Sequence, residues 1–301
     1  MVNAYPSKPV RYIVPFGDGP TATQAHWLAG RLGPALGQPV VVETHPGASG
    51  VNGTALVAGA APDGYTLLAA NPGPLTVAPN LRRNVGYDPL RDFAPVVLMA
   101  TVASVIAVHA GVPARDLNEL IALARAQPGK LHYGSPGVGT VGHLALELFQ
   151  HLAGIRMTHL PRAGLSEAIP ELIAGLFDVL VIPVPEAYPL ARDGRIRALA
   201  VTKRVRCVSW RELPTVDEAG AAGFESFNWN GVAAPAGTPP HVVERINAGI
   251  NGVLQSAGGR EYFVSRGYDI AGGTPGAFGA FLRSEHEKWS KAVRLAGIAT
   301  N

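Results

Sequence analysis

The stretch "VRYIVPFGDGPTATQAHWLAGRLGPALG", residues 10–37, decides the fold. A short apolar, β-branched run breaks into a Gly/Pro loop, and the loop leads into a segment with apolar residues at helical spacing. Backbone N–H groups gather where a loop opens a helix, and such a place binds anions. The loop carries neither Lys nor Arg, and its one charge is the negative Asp18. The stretch therefore predicts a strand–loop–helix unit whose loop binds an anion without a cationic side chain.

The same alternation continues along the chain. Apolar runs such as "PVVVE" (39–43), "YTLLAA" (65–70) and "DVLVIPV" (178–184) alternate with amphipathic segments, which predicts parallel sheets and an α/β fold. The run "APVVLMATVASVIAVHA" (94–110) is too long for one strand and is predicted to cross between two lobes. The run "ESFNWNGVAAP" (225–235) is predicted to cross back. The predicted first lobe is residues 1–100 with 226–301, and the second is residues 101–225, each a mostly parallel sheet flanked by helices.

Two crossings between α/β lobes predict a hinge and a ligand cleft. Ligands of such sheets bind beyond the carboxyl ends of the strands. The loops at the predicted strand ends are rich in glycine: "FGDGPTAT", "HPGASGVNG", "NPGPLT", "SPGVGTVGH" and "PRAG". We expect the three loops of the first lobe to face the two loops of the second lobe across the cleft.

Composition excludes several classes of protein. With 301 residues, 47% of them hydrophobic and 16% charged, the chain is globular and long enough for about two domains. The net charge of +3 comes from scattered cations, with "KRVR" (203–206) as the only cluster, so a nucleic-acid partner is not predicted. No apolar run reaches the roughly 20 residues of a membrane span. The single Cys207 excludes an intramolecular disulfide and a cysteine-based metal site.

The loop "GVGTVG" (137–142) matches a dinucleotide-binding pattern, following a predicted strand and preceding a predicted helix. Such a site needs an acidic residue about 20 positions further on, and none is there, although Arg162 could face a 2′-phosphate. An NADP-dependent oxidoreductase is therefore kept as an alternative. The favoured interpretation is a Gly-rich turn at a helix N-terminus that binds a simpler anion or nothing.

No catalytic or metal-binding arrangement is predicted. Ser135 and His143 are close in sequence, but "YGSPG" is not the nucleophile motif G-x-S-x-G, and no acid is placed to orient the imidazole. Ser49 is explained as a helix N-cap. The nine histidines form no metal-ligand spacing, and Asp18, Asp63, Asp88, Asp178 and Asp193 lie mostly beside Gly or Pro, where Asp serves turns.

Several segments in order resemble the Bug family of extracytoplasmic solute-binding proteins of tripartite tricarboxylate transport systems. They include "YPSKPVRYIVPF", "PGASGVNG", "AAPDGYTLL", "YGSPGVGTVGHLALELF", "LPTVDEAG" and "VAAPAGTP", and the resemblance runs from Tyr5 to Ile298. It implies a periplasmic, two-lobed Venus-flytrap binding protein without catalysis or cofactor. Its ligand would be a small carboxylate (a dicarboxylate, an amino acid or an aromatic acid). No signal peptide is visible, though Ala4 fits the trace of a removed one.

The resemblance also implies partners and site residues. The partners are the membrane subunits of the transporter, and the predicted protein is a monomer without nucleic acid or membrane insertion; a ligand-sensing protein of the same fold is a further alternative. In the first lobe the implied ligand-binding residues are Phe16, Gly17, Gly19, Thr21, Thr23, Gly47, Ala48, Ser49, Asn71 and Gly73. In the second lobe they are Ser135, Val138, Gly139, Thr140, His143, Arg162, Gly164 and Pro183.

Three departures from the family pattern concern the expected cleft. The first loop has Pro20 and Thr21 at expected glycines and Thr23 at an expected aspartate. The turn "PRAG" has Arg162 where an aromatic residue is usual, and Ile182 replaces a second acid. One hypothesis is a cleft that no longer holds an amino group and in which Arg162 pairs a second carboxylate in bidentate fashion. The alternative is that Arg162 points to solvent in a relaxed site.

Overall fold

A computed structural model describes residues 5–297. The ends of the predicted first lobe, residues 1–4 with Ala4 and residues 298–301, lie outside the described residues. The described chain divides into two compact units. The first unit contains residues 5–101 together with Trp229–Ser290, and the second contains Val102–Asn228 together with residues 291–297. The grouping of residues 291–297 differs from the sequence prediction, which placed them in the first lobe.

The first unit follows the predicted alternation of strands and helices. Its elements are β1 (Val10–Val14), α1 (Pro20–Leu36), β2 (Val40–Thr44), α2 (Val51–Ala58), β3 (Thr66–Ala70), α3 (Ala78–Leu81), the first part of β4 (Phe93–His109), the end of β9 (Phe227–Pro235), α8 (Pro240–Gln255), α9 (Ala257–Val264), β10 (Asp269–Ile270) and most of α10 (Pro275–Ala296). Its sheet has the order β2-β1-β3-β9-β4, with β10 against β4. The pairs β1–β2 and β1–β3 are parallel, and β3–β9 is antiparallel.

Parallel pairing places the carboxyl ends of β1, β2 and β3 at one edge of this sheet. All five residues of β3 are buried, as expected for a strand covered by helices on both faces. The apolar faces of α1 and α8 pack on the same core, which includes Leu28, Leu32 and Ile246. The helices therefore cover the sheet and leave its strand-end edge to the loops.

The second unit is built in the same way. After the second part of β4 come α4 (Leu117–Ala126), β5 (His132–Ser135), α5 (Val141–Ala153), β6 (Thr158–Pro161), α6 (Leu165–Ala174), β7 (Val179–Pro183), α7 (Val184–Arg192) and β8 (Ile196–Val201). The sheet order is β8-β4-β7-β5-β6, in which β5 pairs in parallel with β6 and β7. The antiparallel β4 completes the sheet. The carboxyl ends of β5, β6 and β7 thus share one edge.

Two details correct the sequence predictions. The run at 94–110 falls, except for residue 110, in one continuous strand of 17 residues, β4, whose first half pairs in the sheet of the first unit and whose second half pairs in that of the second. The segment after Asn71, predicted as a loop, contains a π-helical turn (Gly73–Val77) and α3. Pro74 and Pro79 made this segment look like a loop in the sequence, although proline is tolerated in the first turn of a helix. Among residues 5–297, no helix is long and apolar enough to cross a bilayer.

Candidate functional site

The three loops at the strand-end edge of the first unit contact one another. The Thr21 hydroxyl of the first loop donates to Oδ1 of Asn71 in the third loop (3.4 Å). The Phe16 ring packs so closely on Gly50 that a Cβ there would lie 2.9 Å from its Cε1. A Cβ on Gly73 would lie 3.8 Å from the Ser49 carbonyl oxygen, so the second loop also reaches the third. The structure therefore brings together the first-lobe loops that the sequence singled out.

The second loop has a strained backbone. Ala48 and Ser49 have φ angles of 50° and 58°, and Gly50 follows with a φ of 90°. A left-handed conformation costs a non-glycine residue about 1–2 kcal/mol, and such strain is concentrated at ligand clamps and switches. Successive N–H groups in a tight turn form a concavity that attracts anions. The prediction that Ser49 caps a helix is wrong: Gly50 occupies the N-cap of α2, without a capping side chain.

The first loop ends at the N-terminus of α1. Gly19 is the N-cap and Pro20 is the first helical residue, where its missing N–H would have had no helical acceptor. Pro20 is thus accounted for by helix initiation. Thr21 is partly buried, whereas Thr23 is exposed and its N–H donates to the Gly19 carbonyl (2.9 Å). The first turn of α1 contains no acidic residue, and the acid adjacent to it in sequence is Asp18, directly before the N-cap.

An ion pair links the first two strands of this sheet. Arg11 on β1 donates two hydrogen bonds to Glu43 on β2, from Nε (2.8 Å) and Nη2 (2.7 Å). These bonds lower the pKa of the Glu43 carboxyl to about 2, and His45 lies 3.3 Å from the same carboxylate. The loops of residues 15–23, 45–50 and 71–77 contain no Lys or Arg, and their one histidine is His45, which lies against Glu43. Positive potential at this edge therefore comes from backbone N–H groups.

The loop after β5 in the second unit is held by its own side chains. Ser135 is fully buried, and its hydroxyl accepts from the Gly137 N–H (3.2 Å) and lies 2.7 Å from Nε2 of His159. The Gly139 N–H donates to Nδ1 of His143 (3.1 Å). The Thr140 hydroxyl donates to the Gly137 carbonyl (2.8 Å) and also caps α5 by accepting from the His143 N–H.

The loop "GVGTVG" therefore has the strand–loop–helix setting that a dinucleotide site requires, but two of its N–H groups are already in use. Those of Gly137 and Gly139 are bound to Ser135 and His143. A pyrophosphate would have to displace both bonds. This arrangement disfavours the dinucleotide interpretation.

An aromatic stack lies beneath this loop. The rings of Tyr133, His159 and His143 stack in that order, with centroids 4.7 Å and 4.1 Å apart. Burial lowers the pKa of His143 to about 4, and the neighbouring His159 contributes to the shift. Burial also lowers the pKa of His159. Both imidazoles are therefore neutral near pH 7. Sequence reasoning missed His159 and Tyr133, which only the parallel pairing of β5 with β6 brings together.

Arg162 does not point freely to solvent. Its Nε donates to the Glu171 carboxylate on α6 and its Nη1 to the Pro161 carbonyl (2.9 Å), and its guanidinium lies 5.6 Å from the Phe177 ring centroid. A ligand carboxylate would have to compete with Glu171 for the guanidinium. The Arg162 N–H donates to the Ser135 carbonyl (2.9 Å), which joins this turn to the loop after β5.

The other predicted second-lobe residues are less connected. Val138 is 65% exposed, Gly164 is the N-cap of α6, and Pro183 ends β7. Ile182, at the position of a family acid, is fully buried in the core of the second unit. Within residues 5–297, no group of three His, Cys, Asp or Glu side chains is arranged to hold a metal ion. The ligand-binding role of the second-lobe residues stays a prediction.

Two α/β units with glycine-rich loops at their strand ends define the class of periplasmic binding proteins. A model of the tripartite tricarboxylate transporter family receptor matches residues 25–298. The chain belongs to this family of solute-binding receptors, as its resemblance to the Bug proteins implied.

Individual relatives agree with the family. Protein BugT of Bordetella pertussis is 34% identical over 98% of this chain and 91% of its own length. The structure of R. palustris Rpa4515 with adipate is 34% identical, with a TM-score of 0.85 over 98% of this chain and 99% of that one. The structure of MatC from Rhodopseudomonas palustris with bound malate is 29% identical, with a TM-score of 0.81 over 96% of this chain and 100% of that one.

Proposed function

We propose that this protein is a periplasmic receptor that binds a small dicarboxylate, with one carboxylate on the three strand-end loops of the first unit. The observation that carries the proposal is the second loop, where Ala48, Ser49 and Gly50 hold consecutive left-handed conformations beside the N-terminus of α2. Such a turn directs backbone N–H groups at an anion without a cationic side chain. A strained turn of this kind is retained where it serves a ligand.

The relatives support the ligand class. Adipate and malate, the ligands in the structures of two similar proteins, are both dicarboxylates. The family description supports the partner, which is the membrane part of a tripartite transporter. In this role the protein captures and delivers its ligand and does not transform it. It works without a cofactor.

The test compares a variant that removes one backbone donor from the second loop with a variant that keeps it. Ala48→Pro removes one N–H and cannot adopt a φ of 50°, whereas Ala48→Gly keeps the N–H and removes the strain. A hydrogen bond to a charged group contributes about 1.5–3 kcal/mol, so Ala48→Pro should weaken binding by about tenfold to a hundredfold. Ala48→Gly should bind within about threefold of the wild type.

The measurement is isothermal titration calorimetry with the dicarboxylate that gives the largest thermal shift in a screen of mono-, di- and aromatic carboxylates and NADP. A bound ligand raises the melting temperature by mass action. Circular dichroism would verify that Ala48→Pro is folded. Equal affinity of folded Ala48→Pro and wild type would overturn the proposed site. A shift with NADP alone would overturn the receptor function.

A further inference from the structure

The surface of the first unit carries a stack of four side chains that the ligand site does not use. Trp27 of α1 and Tyr262 of α9 stack with centroids 4.1 Å apart and planes 18° from parallel. The Arg31 guanidinium lies over the Trp27 ring, 4.3 Å from its centroid, and that of Arg266 lies over the Tyr262 ring, 4.1 Å from its centroid. Two guanidiniums thus flank an aromatic pair, in the cation–π arrangement that favours arginine.

In the described part of the chain, both guanidiniums lack an acidic partner. Nη1 of Arg31 donates to the Trp27 carbonyl (3.3 Å), and Nη1 of Arg266 donates to the Tyr262 carbonyl (3.2 Å). Within residues 5–297, neither forms an ion pair, and both residues are exposed. Stacking fixes their planes, so less side-chain entropy is lost when they bind a carboxylate. They are prepared to bind an anionic group.

A groove beside Arg31 extends this surface. It has a volume of about 650 Å³ and lies between α1 and α8. Gly249 of α8 lets the helices approach closely, since a Cβ there would lie 3.0 Å from Cδ1 of Leu32. The second cation on the groove is the exposed Arg245, whose Nη2 donates to the Ala35 carbonyl (3.1 Å). In the part of the chain that the structure describes, Arg245 also has no ion-pair partner.

The helices around this surface carry a net positive charge, like the surface itself. The segments 20–36, 240–255 and 257–266 contain four arginines (Arg31, Arg245, Arg260 and Arg266) and two glutamates (Glu244 and Glu261). Helix α1 contributes no acidic side chain. The surface is therefore positive, and its fixed cations lie beside a concave groove.

We infer that this surface, formed by Arg31, Trp27, Tyr262, Arg266 and the α1–α8 groove with Arg245, docks an acidic segment of a partner protein. Charge complementarity favours carboxylates, and planar guanidiniums bind them in bidentate fashion. The groove favours a peptide segment over a lipid surface, because a concave channel accepts one chain and a flat bilayer does not enter it. The inference is independent of the proposed ligand site.

The test uses a fluorescein-labelled peptide of about ten residues that alternates Glu and Ala, followed by fluorescence anisotropy at low salt. Wild-type protein should bind it, and affinity should fall as the salt concentration rises. Arg31→Gln with Arg266→Gln should weaken binding at least about tenfold. The control pair, Arg192→Gln with Arg204→Gln in the second unit, removes the same charge and should change affinity less than about twofold.

A further variant separates charge from stacking. Arg31→Lys with Arg266→Lys keeps the charge and loses the planar fork, so its affinity should lie between those of the wild type and the glutamine pair. The melting-temperature shift with adipate or malate should stay unchanged in every variant, which separates this surface from the ligand site.

Four results would overturn the inference. These are failure of the wild type to bind the peptide, equal losses in the glutamine pair and the control pair, tighter binding to vesicles of anionic lipid than to the peptide, and self-association of the wild type that the glutamine pair abolishes.

Discussion

The two units have loops at the same position, the carboxyl ends of their parallel strands, but different groups determine the conformation of these loops. In the first unit the loops contain no Lys or Arg, and their strain lies in the backbone at Ala48 and Ser49. In the second unit the loop after β5 is bound by the side chains of Ser135, Thr140 and His143. In the second loop of the first unit the Gly50 N–H bonds to the backbone carbonyl of Gly47 (3.0 Å), whereas in the second unit the N–H groups of Gly137 and Gly139 bond to side chains. A helix N-terminus thus indicates an anion site only where nearby side chains leave its donors free.

The histidine stack gives the largest expected effect, on the stability of the second unit. The pKa of His143 is about 4 in the folded protein and about 6.5 when unfolded, so the unfolded state binds more protons between these values. The contribution of His143 to the free energy of unfolding is therefore complete above pH 6.5. It is lost as the pH falls toward 4, by up to about 3 kcal/mol. Urea unfolding at pH 7, 6 and 5 would measure this loss.

The control for this prediction is His143→Asn, whose Oδ1 can accept from the Gly139 N–H in place of Nδ1. Its stability should fall less between pH 6.5 and pH 5, because only His159 then remains to be protonated in the stack. Equal pH dependence in the two proteins would show that the stack does not control acid stability.

The next largest expected effect is a loss of stability when the close packing of α2 in the first unit is disturbed. A Cβ on Gly53 of α2 would lie 2.7 Å from Pro15 Cα and 2.8 Å from the His45 carbonyl oxygen. Gly53→Ala should therefore displace α2, lower the free energy of unfolding by about 1–3 kcal/mol and weaken dicarboxylate binding. Gly59→Ala is the matched control, because the nearest atom to its Cβ would be 3.7 Å away. Urea unfolding and calorimetry would compare them, and equal behaviour would argue against a tightly seated α2.

A pair of identical substitutions compares the two kinds of loop directly. Ser135→Ala removes a fully buried hydroxyl, leaves the partly buried Gly137 N–H without that acceptor and should cost about 1–3 kcal/mol of unfolding free energy. Ser49→Ala removes a hydroxyl that is exposed and caps no helix, so it should change stability by less than about 0.5 kcal/mol. Dicarboxylate affinity should stay unchanged in Ser49→Ala. A marked loss there would mean that the hydroxyl, and not the backbone, binds the ligand.

The smallest effect concerns Arg162. Because its guanidinium is already paired with Glu171, Arg162→Ala should cost about 1 kcal/mol of stability and leave dicarboxylate affinity unchanged. Arg206→Ala, which breaks the exposed pair with Glu218, is the control for the loss of a surface cation. Calorimetry decides the outcome: a loss of affinity in Arg162→Ala alone would favour a direct pair between Arg162 and a ligand carboxylate.

The sequence predicted the secondary structure better than the contacts of the site. Runs of period two and period 3.6 located the strands and most helices, because that periodicity follows from local geometry. The sequence analysis missed the π-helical turn at Gly73–Val77, because Pro74 is typical of a loop. It could not predict the partners of Ser135 and Arg162, because His159 and Glu171 approach them only after β5 pairs with β6 and α6 packs beside them.

By itself the sequence determined the order of strands and helices, the absence of cations from the first-unit loops and, through its motifs, the family. These are local properties, fixed by residues close to one another in the chain. Only the tertiary structure decided which loops contact each other and that Ala48 and Ser49 are left-handed. It also decided that side chains of the second unit bond to the N–H groups of their own loop. Those outcomes depend on strand register and helix packing, which bring together residues far apart in sequence and impose backbone conformations that local preference opposes.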